Sequence, residues 1–321
     1  MTQTFHISDA LRCILLNAPR GPNLVCAQSV CSANKAPLNV SLWKNVLTQR
    51  RNRLTAVQWK GMQLDGLVSA KLRAGRRAWE IDHLYLPLDS ASTLINDGEL
   101  SQSLPLQSRS AHLELLEQAV QNVGTRLGER IFLRLPQYSP IATLVRRVGF
   151  FPYYEGTVME GMWGMTSPGH ATVPEGLHDL KQGDAFALFQ LFSATTPATI
   201  REALGVTFDH WQDAQEIPIG KGQQWVMEHQ GHITGWLRLV PKGVSYEGEM
   251  MVHPDHPDLL PALLRMALTQ KGIGRWLVPD YQGRLARHLE DSGFHKLAKY
   301  TMHIKTVAAP VTRPGMAPVE A

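Results

Sequence analysis

The chain has 321 residues, of which 44% are hydrophobic and 19% charged, with a formal net charge of +4. That composition excludes a disordered protein, and no run of about 18 apolar residues offers a membrane span. The basic excess suits an anionic cofactor but falls far short of a dedicated nucleic-acid binder, and no membrane partner is expected. Cys13, Cys26 and Cys31 are odd in number and lack a histidine partner at zinc spacing, so a disulfide framework is not expected. Residues 10–16 are too short, and too interrupted by Arg12, for a signal segment. A reducing cytoplasm is the expected compartment.

Residues 1–53 carry an apolar patch at 11–16, a Pro/Gly turn at 19–22 and an expected helix from Ser41 with Leu42, Trp43, Val46 and Leu47 as its stripe. Arg50, Arg51 and Arg53 close that helix, where cations favour the dipole and equally suit a phosphate. Strands are expected at 54–59 and 66–73, with the hairpin turn at Gln63-Leu64-Asp65-Gly66. A third follows at Trp79 to Pro87, then a Ser- and Asp-rich loop over 89–110. Leu113, Leu116, Val120, Val123 and Leu127 step by three and four, as an amphipathic helix does. A strand at 131–135, a helix from Ile141 to Val148 and a strand around 157–159 complete this half. Residues 161–176 read as a linker.

After it come a helix at 184–192, a second opened by Thr196-Pro197, and strands at 224–228, 233–240 and 245–252. A helix from Leu259, which Gly272 is expected to stop, a strand at 276–278, a helix at 284–291 and a strand at 300–304 follow. Residues 306–321 read as a loose Ala/Pro/Val tail. The division is therefore 1–160, a linker over 161–176, 177–305 and a tail.

One strand is written twice. Trp79-Glu80-Ile81-Asp82 running to Pro87 recurs as Tyr246-Glu247-Gly248-Glu249 running to Pro254. Residues at i and i+2 of a strand share a face, so Glu80 projects with Asp82, and Glu247 with Glu249. Such a pair is either a polar site at a sheet end or the solvated side of a half-buried strand. Each half also ends a helix on Gly-Phe, at Gly149-Phe150 and Gly293-Phe294, where glycine takes the left-handed position and phenylalanine folds back on the core.

This order of elements, with the strand before X-Pro and the Gly-Phe helix end, resembles the GNAT acyl-CoA N-acyltransferase superfamily in both halves. The resemblance implies an α/β fold of two tandem domains, each a mixed, mostly antiparallel sheet flanked by helices. It implies acetyl-CoA as co-substrate and transfer to a small-molecule or protein amine. Glu80 or Asp82 would be the general base, and main-chain N–H groups near Leu84 and Leu86 would polarise the thioester carbonyl. The family's pyrophosphate loop, Gln/Arg-x-x-Gly-x-Gly/Ala at a helix start, is replaced by Gln107-Ser108-Arg109-Ser110-Ala111-His112 and by His253-Pro254-Asp255-His256-Pro257-Asp258, both without glycine. Ser108, Arg109 and Ser110 keep small hydroxyls and a cation, whereas Asp255 and Asp258 oppose phosphate, so activity is expected in the N-terminal half. The family's proton-donating tyrosine has Val145 and Leu289 in its place. The rival reading is a catalytically silent tandem fold that binds or supports.

Among other patterns, His253, Asp255, His256 and Asp258 are too compact, with two prolines, to converge readily on a metal. Gly272-Ile273-Gly274 follows a helix and precedes a strand, the wrong context for a dinucleotide loop. Tyr138 and Tyr281 precede the last helix of each half, either reaching a cleft or burying a ring. Arg73, Arg76 and Arg77 read as solvated charges at a hairpin.

Overall fold

A computed structural model describes residues 2–4, 9, 23–25, 52–86, 106–163, 175–217, 222–269 and 272–307. The expected helix from Ser41, the patch at 11–16, the turn at 19–22, most of the 89–110 loop, most of the linker and most of the tail lie outside them.

Strands β1 (Thr2–Thr4), β2 (Arg53–Lys60), β3 (Gln63–Leu72) and β4 (Ala78–Tyr85) are antiparallel neighbours. Helix α1 (Leu106–Gly124) leads to β5 (Arg130–Pro136), which returns parallel to β4, and α2 (Ala142–Arg147) leads to β6 (Phe151–Trp163). The second half repeats this with β7 (Leu177–Asp179), α3 (Ala185–Thr195), α4 (Ala198–Leu204), α5 (Phe208–Ala214), β8 (Gln223–His229), β9 (His232–Lys242), β10 (Ser245–Val252), α6 (Leu259–Leu268), β11 (Gly272–Pro279), α7 (Gly283–Asp291) and β12 (His295–Thr306).

Among the described residues these strands form one sheet, ordered β1-β2-β3-β4-β5-β12-β6-β11-β10-β9-β8-β7. The order is a palindrome in which each strand of one half answers the sixth strand on. At its centre the closing strands are exchanged: β12 lies against β5, and β6 against β11. β6 and β12 also pair with each other. Each half therefore completes its sheet with a strand from the other.

Two cores result. Trp79, Leu115, Leu116, Val123, Ile131, Val145 and Phe150 lie in the N-terminal one, and Leu237, Leu263, Leu264, Trp276, Leu289 and Phe294 in the C-terminal one. Gly149 and Gly293 take φ of 90° and 86°, and the phenylalanines after them are buried, as the helix-end pattern requires.

Several expectations are corrected. The hairpin turns at Gly61, with Lys60 opposite Gln63, while Asp65 is the extra residue of a bulge opposite Gln58 and Trp59. Bulges and turns both favour glycine, which is why Asp65-Gly66 misleads. Gly272 opens β11 rather than merely stopping α6. Its φ is 123°, and a Cβ there would meet the Val244 carbonyl at 2.5 Å. Leu127 is exposed beyond the end of α1.

Candidate functional site

In each half the parallel pair runs together and then parts. β4 and β5 pair from Ala78 and Arg130 to Ile81 and Leu133, and β10 and β11 from Ser245 and Ile273 to Gly248 and Trp276. Beyond those points the inner main-chain groups of β4 and β10 have no strand partner among the described residues. The two splays are filled differently.

In the N-terminal splay lie Asn23, Leu24 and Val25. The Asn23 side-chain amide donates to the Asp82 carbonyl at 2.9 Å, and its oxygen accepts the Leu84 N–H at 2.9 Å. Leu24 N–H donates to the Leu84 carbonyl at 2.9 Å, and the Leu24 and Val25 side chains are buried in the core. The amide expected to polarise a carbonyl is thus already bonded. Leu86 packs its side chain in the same core.

Glu80 and Asp82 do share a face, since Glu80 lies opposite Lys71, Lys71 opposite Arg53, and Arg53 reaches both Ser69 and Asp82, but that face is buried. A bulge makes Asp82 an extra residue opposite Ser69 and Ala70. Asp82 takes both guanidinium nitrogens of Arg53 at 2.7 Å each, with His83 Nδ1 at 3.0 Å. Burial alone would raise its pKa, but His83 and Arg53 outweigh that and hold the carboxyl far below the usual range. Arg53, expected at a helix end, instead opens β2. Glu80 is 1% exposed, with Lys71 and Arg73 nitrogens each 3.7 Å from its oxygen. Burial and the nearby Glu216 raise its pKa against those cations. Both carboxylates are buried, and neither borders the two cavities described below.

Gln107 to His112 likewise lie within the first turns of α1, which begins at Leu106, rather than in a loop before it. Ser110 is exposed there; the side chains of Ser108 and Arg109 lie outside the described residues.

The C-terminal splay opens onto two cavities. His253 N–H donates to the Thr234 carbonyl at 2.8 Å, which fixes the alternation along β10: Met251 and Glu249 bond β9, while Met250 and Val252 turn their main-chain groups to the opening. On one side a cavity of about 410 Å³ is lined by Val252, His253, Pro254, Pro257, Arg284 and Arg287. On the other a cavity of about 170 Å³ lies between the halves, lined by Arg73, Arg134, Tyr153 and Tyr154 from one and Glu216, Arg238, Glu249 and Trp236 from the other. Met250, Tyr281 and Gln282 border both. Gln282 Nε2 donates to the Met250 carbonyl at 3.2 Å.

Glu249 faces Arg238 directly across the β9–β10 ladder, and the two are ion-paired with the Glu249 side chain 41% exposed. Glu216 accepts from Arg134 at 2.8 Å and Arg73 at 3.3 Å. Burial works to raise its carboxyl, but Arg134 and Arg73 outweigh it and hold it at about 2. Burial pushes the Tyr281 hydroxyl up to about 12, with a Thr196 hydrogen bond opposing and Asp280 and Glu249 adding. Of the arginines read from sequence as solvated, Arg76 is exposed, whereas Arg73 is 5% exposed over the Phe132 ring and Arg77 donates to Asp213 at 2.6 Å. Tyr281 was legible as a residue before the last helix. That it borders both cavities follows only from the fold.

The loop before α6 offers few main-chain donors. His256 N–H and Leu259 N–H bond to the His253 and His256 carbonyls, Asp255 N–H bonds to His253 Nδ1, and Pro254 and Pro257 have none. Among the described residues no group of three or more His, Cys, Asp or Glu side chains is placed to hold a metal, and no helix is long and apolar enough to cross a membrane.

No family model and no curated protein matches the chain. Solved structures do. A tandem GNAT protein from the clavulanic acid biosynthesis pathway is 12% identical, with 96% of this chain and 98% of that one covered and a TM-score of 0.50. A GCN5-related N-acetyltransferase from Sphaerobacter thermophilus is 15% identical, with 98% and 96% covered and a TM-score of 0.51. The fold is that of the GNAT acetyltransferases: a large mixed sheet flanked by helices in two like halves.

Proposed function

We propose that the chain is an acyl-CoA-dependent N-acyltransferase working through the cleft of its C-terminal half, not the N-terminal one that the loop sequences favour. One observation carries this: the N-terminal splay is taken by Asn23 to Val25, while the C-terminal splay joins two cavities at Met250 and Tyr281.

The residues fit the co-substrate in the second cleft and not in the first. The Met250 N–H and the main-chain groups of Val252 face an extended ligand arm, and Arg284 and Arg287 supply the cations that the proline-bearing loop cannot replace with N–H groups. When bound, acetyl-CoA brings an activated acyl thioester. Val252 N–H polarises a carbonyl at the splay. Glu249, half-exposed on the smaller cavity, takes a proton from the acceptor amine. Tyr281, kept protonated by burial, donates one to the departing sulfur, the role that Val145 and Leu289, in the place of the family's tyrosine, cannot fill. The N-terminal half is then a silent copy that supplies one wall of the acceptor cavity.

Calorimetric titration with acetyl-CoA tests this. One site is expected, weakened roughly tenfold or more by combined Arg284→Ala and Arg287→Ala changes, since each charge-assisted bond contributes about 1.5 to 3 kcal/mol. A site indifferent to both arginines, or two equal sites, would overturn the assignment.

A further inference from the structure

The smaller cavity carries charge of both signs in one arrangement. Arg238 and Glu249 lie side by side on neighbouring strands and bond through a single contact, Arg238 Nη2 to Glu249. Arg238 Nε is buried without a hydrogen-bond partner among the described residues. A buried guanidinium N–H left unmade costs free energy that an incoming acceptor atom would recover. Behind this pair two arginines, Arg73 and Arg134, share the one carboxylate of Glu216. The lining thus holds three guanidinium groups to two carboxylates, a cationic excess at a partly apolar surface that Trp211 and Trp236 help form.

An amine alone would meet that excess unfavourably. An α-amino acid would not, because it places an ammonium and a carboxylate on one carbon, the same adjacency that Glu249 and Arg238 present. The volume of about 170 Å³ suits a molecule of that size.

We propose that the acceptor is a free α-amino acid with an apolar side chain. Its amine lies against Glu249, its carboxylate against Arg238 Nε, and its side chain against the aromatic wall. The proposal rests on the C-terminal cleft being the one that transfers an acyl group, and it names the class of amine that cleft receives. In the transfer, the amine nitrogen bonds to the acyl carbon as the carbon–sulfur bond breaks. The bound ammonium first gives one proton to solvent; as the amine attacks, a second leaves nitrogen for Glu249 and one reaches sulfur from Tyr281, and Glu249 and Tyr281 regain their starting states by exchange with solvent, so atoms and charge balance.

The test uses the full chain without acetyl-CoA. Calorimetry compares leucine with 3-methylbutylamine, which lacks the carboxylate, and with 4-methylpentanoate, which lacks the amine; valine and phenylalanine extend the series. The expected result is that one or more of the amino acids binds at least tenfold more tightly than its amine and acid counterparts. Arg238→Gln should abolish the preference over the amine, and Glu249→Gln the preference over the acid, with thermal melts confirming that both variants fold. Should either not fold, Arg238→Lys, which keeps the charge but loses the Nε donor, should also erase the preference. Equal binding of amine and amino acid, or no amino-acid heat at millimolar concentration, would overturn the proposal. A separate acetyl-CoA titration distinguishes the two claims: amino-acid binding without acetyl-CoA binding would sink the transfer reading and leave the pocket assignment standing.

Discussion

Two acids that look alike in sequence have opposite surroundings. Asp82 is closed into a bidentate pair with Arg53, whereas Glu249 is half-exposed on a cavity beside Arg238. Removing one partner of a buried pair strands the other, so Asp82→Asn should cost about 3 to 5 kcal/mol in urea unfolding at neutral pH. The sign with pH follows from the depressed carboxyl. Its contribution is present above the unfolded value, near about 3.9, and fades as pH falls toward the folded one. Wild type should therefore lose more stability between about pH 5 and 3, the upper part of that range, than Asp82→Asn does. Equal acid sensitivity in both would refute the pairing argument. Tyr281 sits at the same scale: with its hydroxyl pushed up to about 12, Tyr281→Phe should lower kcat roughly 10²-fold with acetyl-CoA binding retained. The paired acids were legible from the strand written twice. Their roles were not, because Arg53 lies 29 positions from Asp82 and a bulge leaves no mark that alternation reveals.

At the scale of elements, the smaller cavity, where we propose that the acceptor binds, depends on one docking. Ala74 and Gly75 N–H groups bond to the Gln215 and Asp213 carbonyls, Arg77 to the Asp213 carboxylate, and Arg73 and Arg134 to Glu216. A hairpin of one half thereby holds the segment after α5 of the other. Gly75 is the tight point, since a Cβ there would lie 2.6 Å from the Asp213 backbone and closer still to its carboxylate. Gly75→Ala must displace that segment, so acceptor kcat/KM should fall while acetyl-CoA affinity holds. A loss confined to acetyl-CoA affinity would show that the docking has no part in the acceptor side. Helix α5 escaped the sequence reading because seven residues give too little period, with Trp211 and Ala214 its buried positions. The longer helices and the strands β8 and β9 were readable because spacing is local. The docking joins residues about 140 positions apart.

Across the whole molecule, the exchanged closing strands make the halves mutually dependent. Without β12, strand β5 presents an open edge at the middle of the sheet, and without β6 so does β11. Edges of that length are unstable in water and prone to pair with other chains. The N-terminal core also meets the second half through Val307, whose N–H bonds to the Glu129 carbonyl at 2.7 Å. Two self-contained domains joined by a linker would unfold separately, each at its own midpoint. Interlocked halves cannot, because melting either removes a central strand from the other. Far-ultraviolet circular dichroism, which follows the sheet, and tryptophan fluorescence, whose eight reporters include Trp79 in one core and Trp276 in the other, should therefore report one coincident urea transition. Residues 1–163 expressed alone should aggregate or remain unfolded, and should recover solubility when residues 164–321 are co-expressed. Two resolved transitions, or a folded monomer of residues 1–163, would mean that the exchange is not what holds the sheet together.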